Sequence, residues 1–190
     1  GHGLGPIALT ALSAGASWLG VAQLAEALTL RALLDEAGVS RPAGEPTSQA
    51  PRLLTWLLPV MDPARAAAED SPLRAALAAD LDLSVSTLPQ LETLSAAARA
   101  QGRAARLHLK VDTGMSRGGA MAEDLPALAG AALAACATDK TSSEKGTAGS
   151  TGSTGLTIVA TTGYLGDAAR NIAPDATVTV LVGPGGDPHT

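Results

Sequence analysis

Apolar and polar residues alternate at positions 107–111, where histidine and lysine separate two leucines and a valine. A period of two residues predicts a β-strand with one apolar and one polar face. The Asp-Thr-Gly sequence at 112–114 predicts a turn that ends the strand, and Gly118 and Gly119 leave the following loop free of side chains. We therefore predict a strand that stops abruptly at a loop that a ligand can approach closely.

Similar patterns recur upstream, and they alternate between the periods of strands and helices. Strands are predicted at 16–22, 52–58 and 82–86, helices at 8–14, 23–37, 63–79 and 87–100, and a proline-rich loop at 39–51. Alternating strands and helices predict parallel pairing with right-handed crossovers. The spacing is close to the ~30 residues of one βα unit in a barrel. The predicted fold class is therefore α/β, with parallel strands forming part of a (β/α)8 TIM-type barrel.

Capping residues and apolar spacing refine two of these helices. Asp62 is a predicted N-cap before a proline at the first helical position, and Thr87 is a predicted N-cap for the helix at 87–100. In that last helix, four apolar residues are predicted to face inward. They are Leu88, Leu91, Leu94 and Ala98.

Two cations, Lys110 and Arg117, come at and just after the carboxyl end of the strand at 107–111. Ligands of parallel α/β sheets and barrels bind at this end of the strands. The planar guanidinium of an arginine suits a carboxylate, a phosphate or a phenolate oxygen. The alternative is a surface strand whose lysine and arginine are simply solvated.

Composition narrows the functional classes. The chain is 46% hydrophobic but only 2% aromatic, with no phenylalanine, so its core is built from alanine, leucine and valine. A net charge of -5 argues against nucleic acid or an anionic membrane surface as a partner. The single cysteine, Cys136, excludes an intramolecular disulfide. No apolar run is long enough to span a bilayer.

The stretch LHLKVDTGMSRGG at 107–119 closely resembles the signature strand and loop of alanine racemase, an enzyme of fold type III that uses pyridoxal phosphate (PLP). WLGVAQLAEALTLR, at 18–31, looks like the second βα unit of the racemase barrel, and DLDLSVSTLPQLETLSAAAR, at 80–99, resembles the same family. The resemblance covers residues 1–122. It implies a cytoplasmic isomerase that interconverts L- and D-alanine for cell-wall synthesis, and a homodimer.

The resemblance also implies roles for single residues. Arg117 would touch the phenolic oxygen of PLP and help to hold the substrate carboxylate. Lys110 matches a lysine that is carbamylated in some members and braces that arginine. His2 matches the end of the Tyr-Gly-His-Gly tail of the PLP-lysine motif, and the alternative for this histidine is a flexible terminal residue. The PLP lysine and a second-domain tyrosine are not matched, so we expect these 190 residues to have no racemase activity alone.

Residues 123–136 allow two interpretations. They fit an apolar helix after the strand at 107–111, and they also fit a lipobox, because Leu-Ala-Ala-Cys places small residues before Cys136. The serine-, threonine- and glycine-rich residues 137–155 predict a flexible linker. A lipidated cysteine followed by such a tether would anchor an extracytoplasmic protein to a membrane.

Residues 156–190 predict a short βαβ unit with strands at 156–161 and 177–182 and a helix at 163–173. The unit ends in Gly-Gly-Asp-Pro-His and resembles the start of the metal-binding lipoproteins of zinc and manganese ABC importers. That resemblance implies that His189 is a first metal ligand, although a zinc or manganese site needs three or four ligands. The alternative is a solvated terminal histidine.

The two resemblances meet in one chain in an order that we associate with no single family. A gene fusion, a frame error or an artificial sequence would each give this pattern. Three hypotheses therefore remain open from the sequence: a partial racemase, a lipid-anchored metal-binding module, and a chimera without function.

Overall fold

The structure is a computed structural model, and it describes residues 2–112, 114, 116, 118–138, 157–160 and 177–180, with side chains up to residue 135. The chain divides into two compact units, Gly1–Ala135 and Cys136–Thr190. The predicted linker at 137–155 and helix at 163–173 lie almost wholly outside the described residues. In the second unit, the described strands β5 (Thr157–Ala160) and β6 (Thr177–Val180) pair in parallel, as predicted.

The first unit is a four-stranded parallel sheet with helices in the connections, in the strand order β1-β2-β3-β4. Its strands are β1 (Trp18–Gln23), β2 (Arg52–Leu57), β3 (Asp82–Val85) and β4 (Arg106–Leu109). Its helices within this unit are α1 (Leu4–Ser13), α2 (Leu24–Glu36), α3 (Pro63–Ala67), α4 (Pro72–Ala78) and α5 (Leu88–Gln101), and α6 (Leu125–Thr138) runs past its end. The strands are neighbours in sequence order, as the alternating pattern predicted.

The core lies between the sheet and the helices. Leu83 and Val85 of β3 are fully buried there, and Leu53 of β2 is 2% exposed on the same face. Buried leucines and alanines of α2, α4 and α5 complete this layer. The core therefore follows the composition, because it contains almost no aromatic side chain.

The opposite face of the sheet is less covered. Trp18 is 43% exposed and Trp56 is 37% exposed. The ring of Trp56 lies over Gly20 of the neighbouring strand, so close that a Cβ at Gly20 would stand 3.1 Å from it. Glycine at this position thus leaves room for the ring of Trp56.

Capping residues set several helix starts. The side chains of Asp62 and Thr87 accept hydrogen bonds from the backbone N–H groups of Arg65 and Gln90, so both predicted N-caps are confirmed. Gln23 precedes α2, and its backbone N–H donates to the Glu26 carboxylate.

Two helix predictions were wrong in detail. The helix predicted at 63–79 is two helices, because the backbone of Ala68 is extended and Ser71 caps a new helix that starts with Pro72. A proline cannot continue a helix but favours its first turn, so Ser71-Pro72 was the missed signal. Leu88 was predicted to face inward but is 42% exposed, because it is the first residue of α5 and precedes the packed face.

The segment 123–136 adopts the helical alternative over most of its length, as the first part of α6. Leu128 and Ala132 of this helix are buried against Leu91 of α5. The side chain of Cys136 lies outside the described part of the structure. Within the residues that the structure describes, no helix is long and apolar enough to cross a membrane.

We predict that replacing Leu83 with alanine lowers the free energy of unfolding by about 2–5 kcal/mol, because a fully buried leucine leaves a cavity when it is truncated. The matched control is Val60→Ala, since Val60 is 99% exposed and should change stability by less than about 0.5 kcal/mol. Urea unfolding of both variants measures the difference. Equal effects would mean that β3 is not in the core.

Candidate active-site loop

The loop that follows β4 is closed at its base by main-chain hydrogen bonds. The N–H of Lys110 donates to the Val85 carbonyl at 2.8 Å, which continues the β3–β4 pairing by one residue. The N–H of Ala120 donates to the Lys110 carbonyl at 2.7 Å, and the N–H of Asp112 donates to the Ala120 carbonyl at 2.9 Å. Val111 and Ala120 therefore form a parallel bridge, and the residues between them return to the carboxyl edge of the sheet.

Two charged side chains hold the inside of this loop. The Asp112 carboxylate accepts the N–H of Gly114 at 2.8 Å and the N–H of Ser116 at 3.1 Å on the same oxygen, Oδ1. The Lys110 ammonium donates to the Gly118 carbonyl. Both contacts join side chains at the strand end to main-chain groups of the loop.

Glycine is required at one position of the loop. The backbone of Gly119 has φ +134°, and a Cβ there would stand 2.4 Å from the nitrogen of Asp112 and 2.6 Å from the Val111 carbonyl carbon. Gly114 also has positive φ, +116°, but a Cβ added there would meet no atom within 4 Å. Ser116 adopts φ 54°, an uncommon value for a residue other than glycine.

The predicted site residues are placed as follows. Lys110 lies at the carboxyl edge of the sheet, as predicted. His2 is exposed and precedes α1. Arg117 and His189 lie outside the described residues, so their roles stay predictions. In the described part of the chain, no group of three or more histidine, cysteine, aspartate or glutamate side chains is arranged to hold a metal ion.

A second polar cluster lies at the amino edge of the same sheet. Arg106 of β4 donates to the carboxylates of Asp80 and Asp82 and, at 2.6 Å, to the Asp80 carbonyl. Arg52 and Arg103 also pair with Asp80, at 3.5 and 2.8 Å. The amino edge is the stability face of a barrel, and the contacts of these carboxylates join three strands rather than form an open cleft.

Charge and burial oppose each other in this cluster. Burial acts to raise the pKa of Asp80, but the hydrogen bond and charge of Arg106 and the charges of Arg103 and Arg52 outweigh it, so the pKa lies below its ordinary value. Burial acts to lower the pKa of Arg106, and its bonds to Asp80 and Asp82 reverse this, so the pKa lies above its ordinary value.

His108 belongs to this structural group. Its Nε2 atom lies 3.2 Å from a carboxylate oxygen of Asp82, which is 3% exposed. The ring also meets Trp18 edge to face, with 5.7 Å between the ring centroids. His108 therefore connects β4 to β3 and β1 on the less covered face of the sheet.

Comparison with known proteins decides the family. The model of the family "Alanine racemase, N-terminal domain" matches residues 1–141. The chain belongs to this family. The chain is 49% identical to the alanine racemase of Beutenbergia cavernae over 135 residues, which is 71% of this chain and 30% of the relative. It is 45% identical to that of Salinispora arenicola over 132 residues, 70% of this chain and 29% of the relative.

Solved structures agree with the family assignment. The alanine racemase of Streptomyces coelicolor A3(2) superposes with a TM-score of 0.55 and 39% identity, over 73% of this chain and 32% of that chain. The alanine racemase from D-cycloserine-producing Streptomyces lavendulae gives a TM-score of 0.63 and 33% identity, over 96% of this chain and 42% of that chain. The predicted fold class, α/β with part of a TIM-type barrel, is confirmed.

The match to alanine racemases is partial in length. The chain spans about 30% of the length of the curated racemases it matches. The family match runs to residue 141, past the boundary at 122 that the resemblance suggested. The comparisons give no support to the lipoprotein resemblance of residues 156–190, and its linker, lipid anchor and metal ligand stay predictions.

Sequence reasoning missed the organising role of one racemase-loop residue, Asp112. The sequence marked it only as part of a turn, whereas its carboxylate holds the N–H groups two and four residues later. Its spacing to Gly114 is typical of an aspartate that bonds its own backbone in a turn, and this was the available signal. The arginine partners of Asp80 and Asp82 could not be assigned without the strand register.

Gly119→Ala should destabilise the protein more than Gly114→Ala. Both substitutions place a side chain at positive φ, which costs about 1–3 kcal/mol, but only Gly119 adds a collision with the backbone of the loop base. Urea unfolding of the two variants measures the difference. If Gly114→Ala lowered the free energy of unfolding more than Gly119→Ala, the closed loop base described here would be contradicted.

Asp80→Asn should make stability less dependent on pH below about pH 4. Because the folded-state pKa of Asp80 lies below its usual value of 3.8, its contribution is present above that pH and is lost as pH falls through the folded-state pKa. Asparagine tolerates the left-handed backbone, φ 61°, at this position. The free energy of unfolding of the parent chain and of Asp80→Asn is measured from pH 6 to pH 2. The variant Glu123→Gln, at an exposed position, serves as control. Parallel curves for all three proteins would contradict the prediction.

Proposed function

We propose that the first unit supplies part of the PLP pocket of an alanine racemase, which interconverts L- and D-alanine. One observation carries the proposal: Lys110 and the closed loop after β4 lie at the carboxyl edge of a parallel sheet, in a stretch that belongs to the alanine racemase family. The same edge of barrel sheets holds the catalytic groups of barrel enzymes. The amino-edge cluster, by contrast, is occupied by its own ion pairs.

The residues of this edge fit an anionic cofactor. The loop carries a lysine at its base, Arg117 in its sequence, and exposed glycines at 114 and 118 that leave its backbone accessible. PLP has a phosphate and a phenolic oxygen, both of which suit cations. When bound, PLP supplies a ring that takes up electrons as the α-proton of an amino acid leaves.

Two side chains have distinct roles in this proposal. Arg117, which stays charged at any physiological pH, would bind the phenolic oxygen and the substrate carboxylate. Lys110 would support that arginine from the strand end, and its contact with the Gly118 carbonyl supports such a role. His2 remains a candidate cofactor contact by resemblance.

Turnover needs groups beyond these 190 residues. The family uses its PLP lysine and a tyrosine of a second domain to move the proton on the two faces of the substrate, and neither motif is matched here. The chain also spans about 30% of its relatives. We therefore expect no conversion of D-alanine to L-alanine when the 190-residue chain is incubated with PLP at micromolar concentration.

The proposal is tested by grafting residues 1–141 into the Beutenbergia cavernae enzyme in place of its matching segment. The graft should racemise alanine, and Arg117→Ala should lower kcat/KM by about 10²–10³-fold, the usual cost of removing one charge-stabilising donor. The matched control is Arg65→Ala, whose partner Asp70 is an exposed surface residue, and it should change the rate by less than about twofold.

Two outcomes would contradict the proposal. A graft that folds and binds PLP but has no activity would show that these residues do not form a racemase pocket. An Arg117→Ala graft with unchanged kcat/KM would remove the role assigned to Arg117. Measuring the PLP absorbance of each graft separates lost cofactor binding from lost turnover.

A further inference from the structure

The loop after β4 is held on both sides of residue 117 by the two charged residues of the strand end. On the amino side, Asp112 binds the N–H of Ser116. On the carboxyl side, Lys110 binds the carbonyl of Gly118. Position 117 thus lies in sequence between two restrained main-chain groups. The carboxylate of Asp112 accepts the N–H on one side, and the ammonium of Lys110 donates to the carbonyl on the other.

We propose that Asp112 is a positioning residue for Arg117. The inference rests on the proposed function, because Arg117 matters only if the pocket binds PLP and alanine. Asp112 acts through the main chain: its Oδ1 accepts two N–H bonds, from Gly114 and Ser116, while its own N–H closes the loop base on Ala120.

The side-chain length of Asp112 suits this position. An aspartate or asparagine oxygen can accept hydrogen bonds from backbone N–H groups a few residues later, as in a turn. Both N–H groups bond the same oxygen, so the position of that oxygen fixes the N–H groups of Gly114 and Ser116. Ser116 has φ 54°, which needs an external restraint to persist.

The opposite restraint comes from Lys110. Its ammonium reaches forward to Gly118, whose φ of +134° turns the chain toward the loop base. Gly119 then fits against Asp112 with no room for a side chain. The described bonds therefore restrain the main chain on both sides of position 117.

The test compares three substitutions at position 112 by amide hydrogen exchange in the 190-residue chain. Asp112→Asn removes the charge but keeps an oxygen at the same place, and should leave exchange at Gly114 and Ser116 within about threefold. Asp112→Glu keeps the charge but displaces the oxygen, and Asp112→Ala removes it. Both should speed exchange by at least about tenfold, because each loses the hydrogen bonds that this oxygen accepts in its native position.

Two controls show whether a change in hydrogen exchange is specific to the loop and to Asp112. The amide of Leu94, in the core of α5, should not change in any variant that folds. Asp124→Ala removes an exposed carboxylate near the same loop and should leave Gly114 and Ser116 unchanged. The proposal is overturned if Asp112→Glu exchanges like the parent chain, or if Asp112→Asn exchanges like Asp112→Ala.

The grafted racemase gives the second measurement. Asp112→Ala and Asp112→Glu should lower kcat/KM at least about tenfold, and Asp112→Asn should recover most of it, since misplacing a catalytic group by about 1 Å is enough for such losses. Rescue by asparagine but not by glutamate distinguishes positioning from a general charge effect. If the unsubstituted graft were inactive, the proposed function would fail, while hydrogen exchange would still decide whether Asp112 fixes the loop.

Discussion

The pairing of β3 with β4 is the constraint on which the rest of the first unit depends. Asp82 lies opposite Arg106 in this pair, and Arg106 bonds Asp80 and Asp82 through Nε, Nη1 and Nη2. A shift by one residue would turn Arg106 and Lys110 toward the helices, where the core is apolar. The ionic contacts therefore stabilise the strand register that keeps Lys110 at the candidate site, and they oppose a shift by one residue.

The two edges of the sheet differ in what their polar side chains bind. At the amino edge, side chains bind side chains, and the carboxylates of Asp80 and Asp82 are satisfied by arginines from neighbouring segments. At the carboxyl edge, the side chains of Lys110 and Asp112 bind main-chain groups of one loop. These described bonds are made to the backbone of the loop, at the edge of the sheet where barrel enzymes hold their catalytic groups.

The contacts that hold the loop are local in sequence. Every bond described above that sets the loop joins residues between 110 and 120, apart from the link of Lys110 to Val85. The described bonds of the loop therefore lie within the first unit.

The sequence by itself determined the elements and their order, because hydrophobic period, prolines and caps such as Asp62 and Thr87 act within a few residues. It also located Lys110 at a strand end, and its motifs identified the family. Only the tertiary structure decided the partners of Asp80 and Asp82, since these depend on strand register. The exposure of Leu88 was decided there too, because it depends on where α5 begins to pack, although Ser71-Pro72 already indicated the break between α3 and α4. The role of Asp112 also emerged only there, because a turn motif does not specify which N–H groups converge on one oxygen.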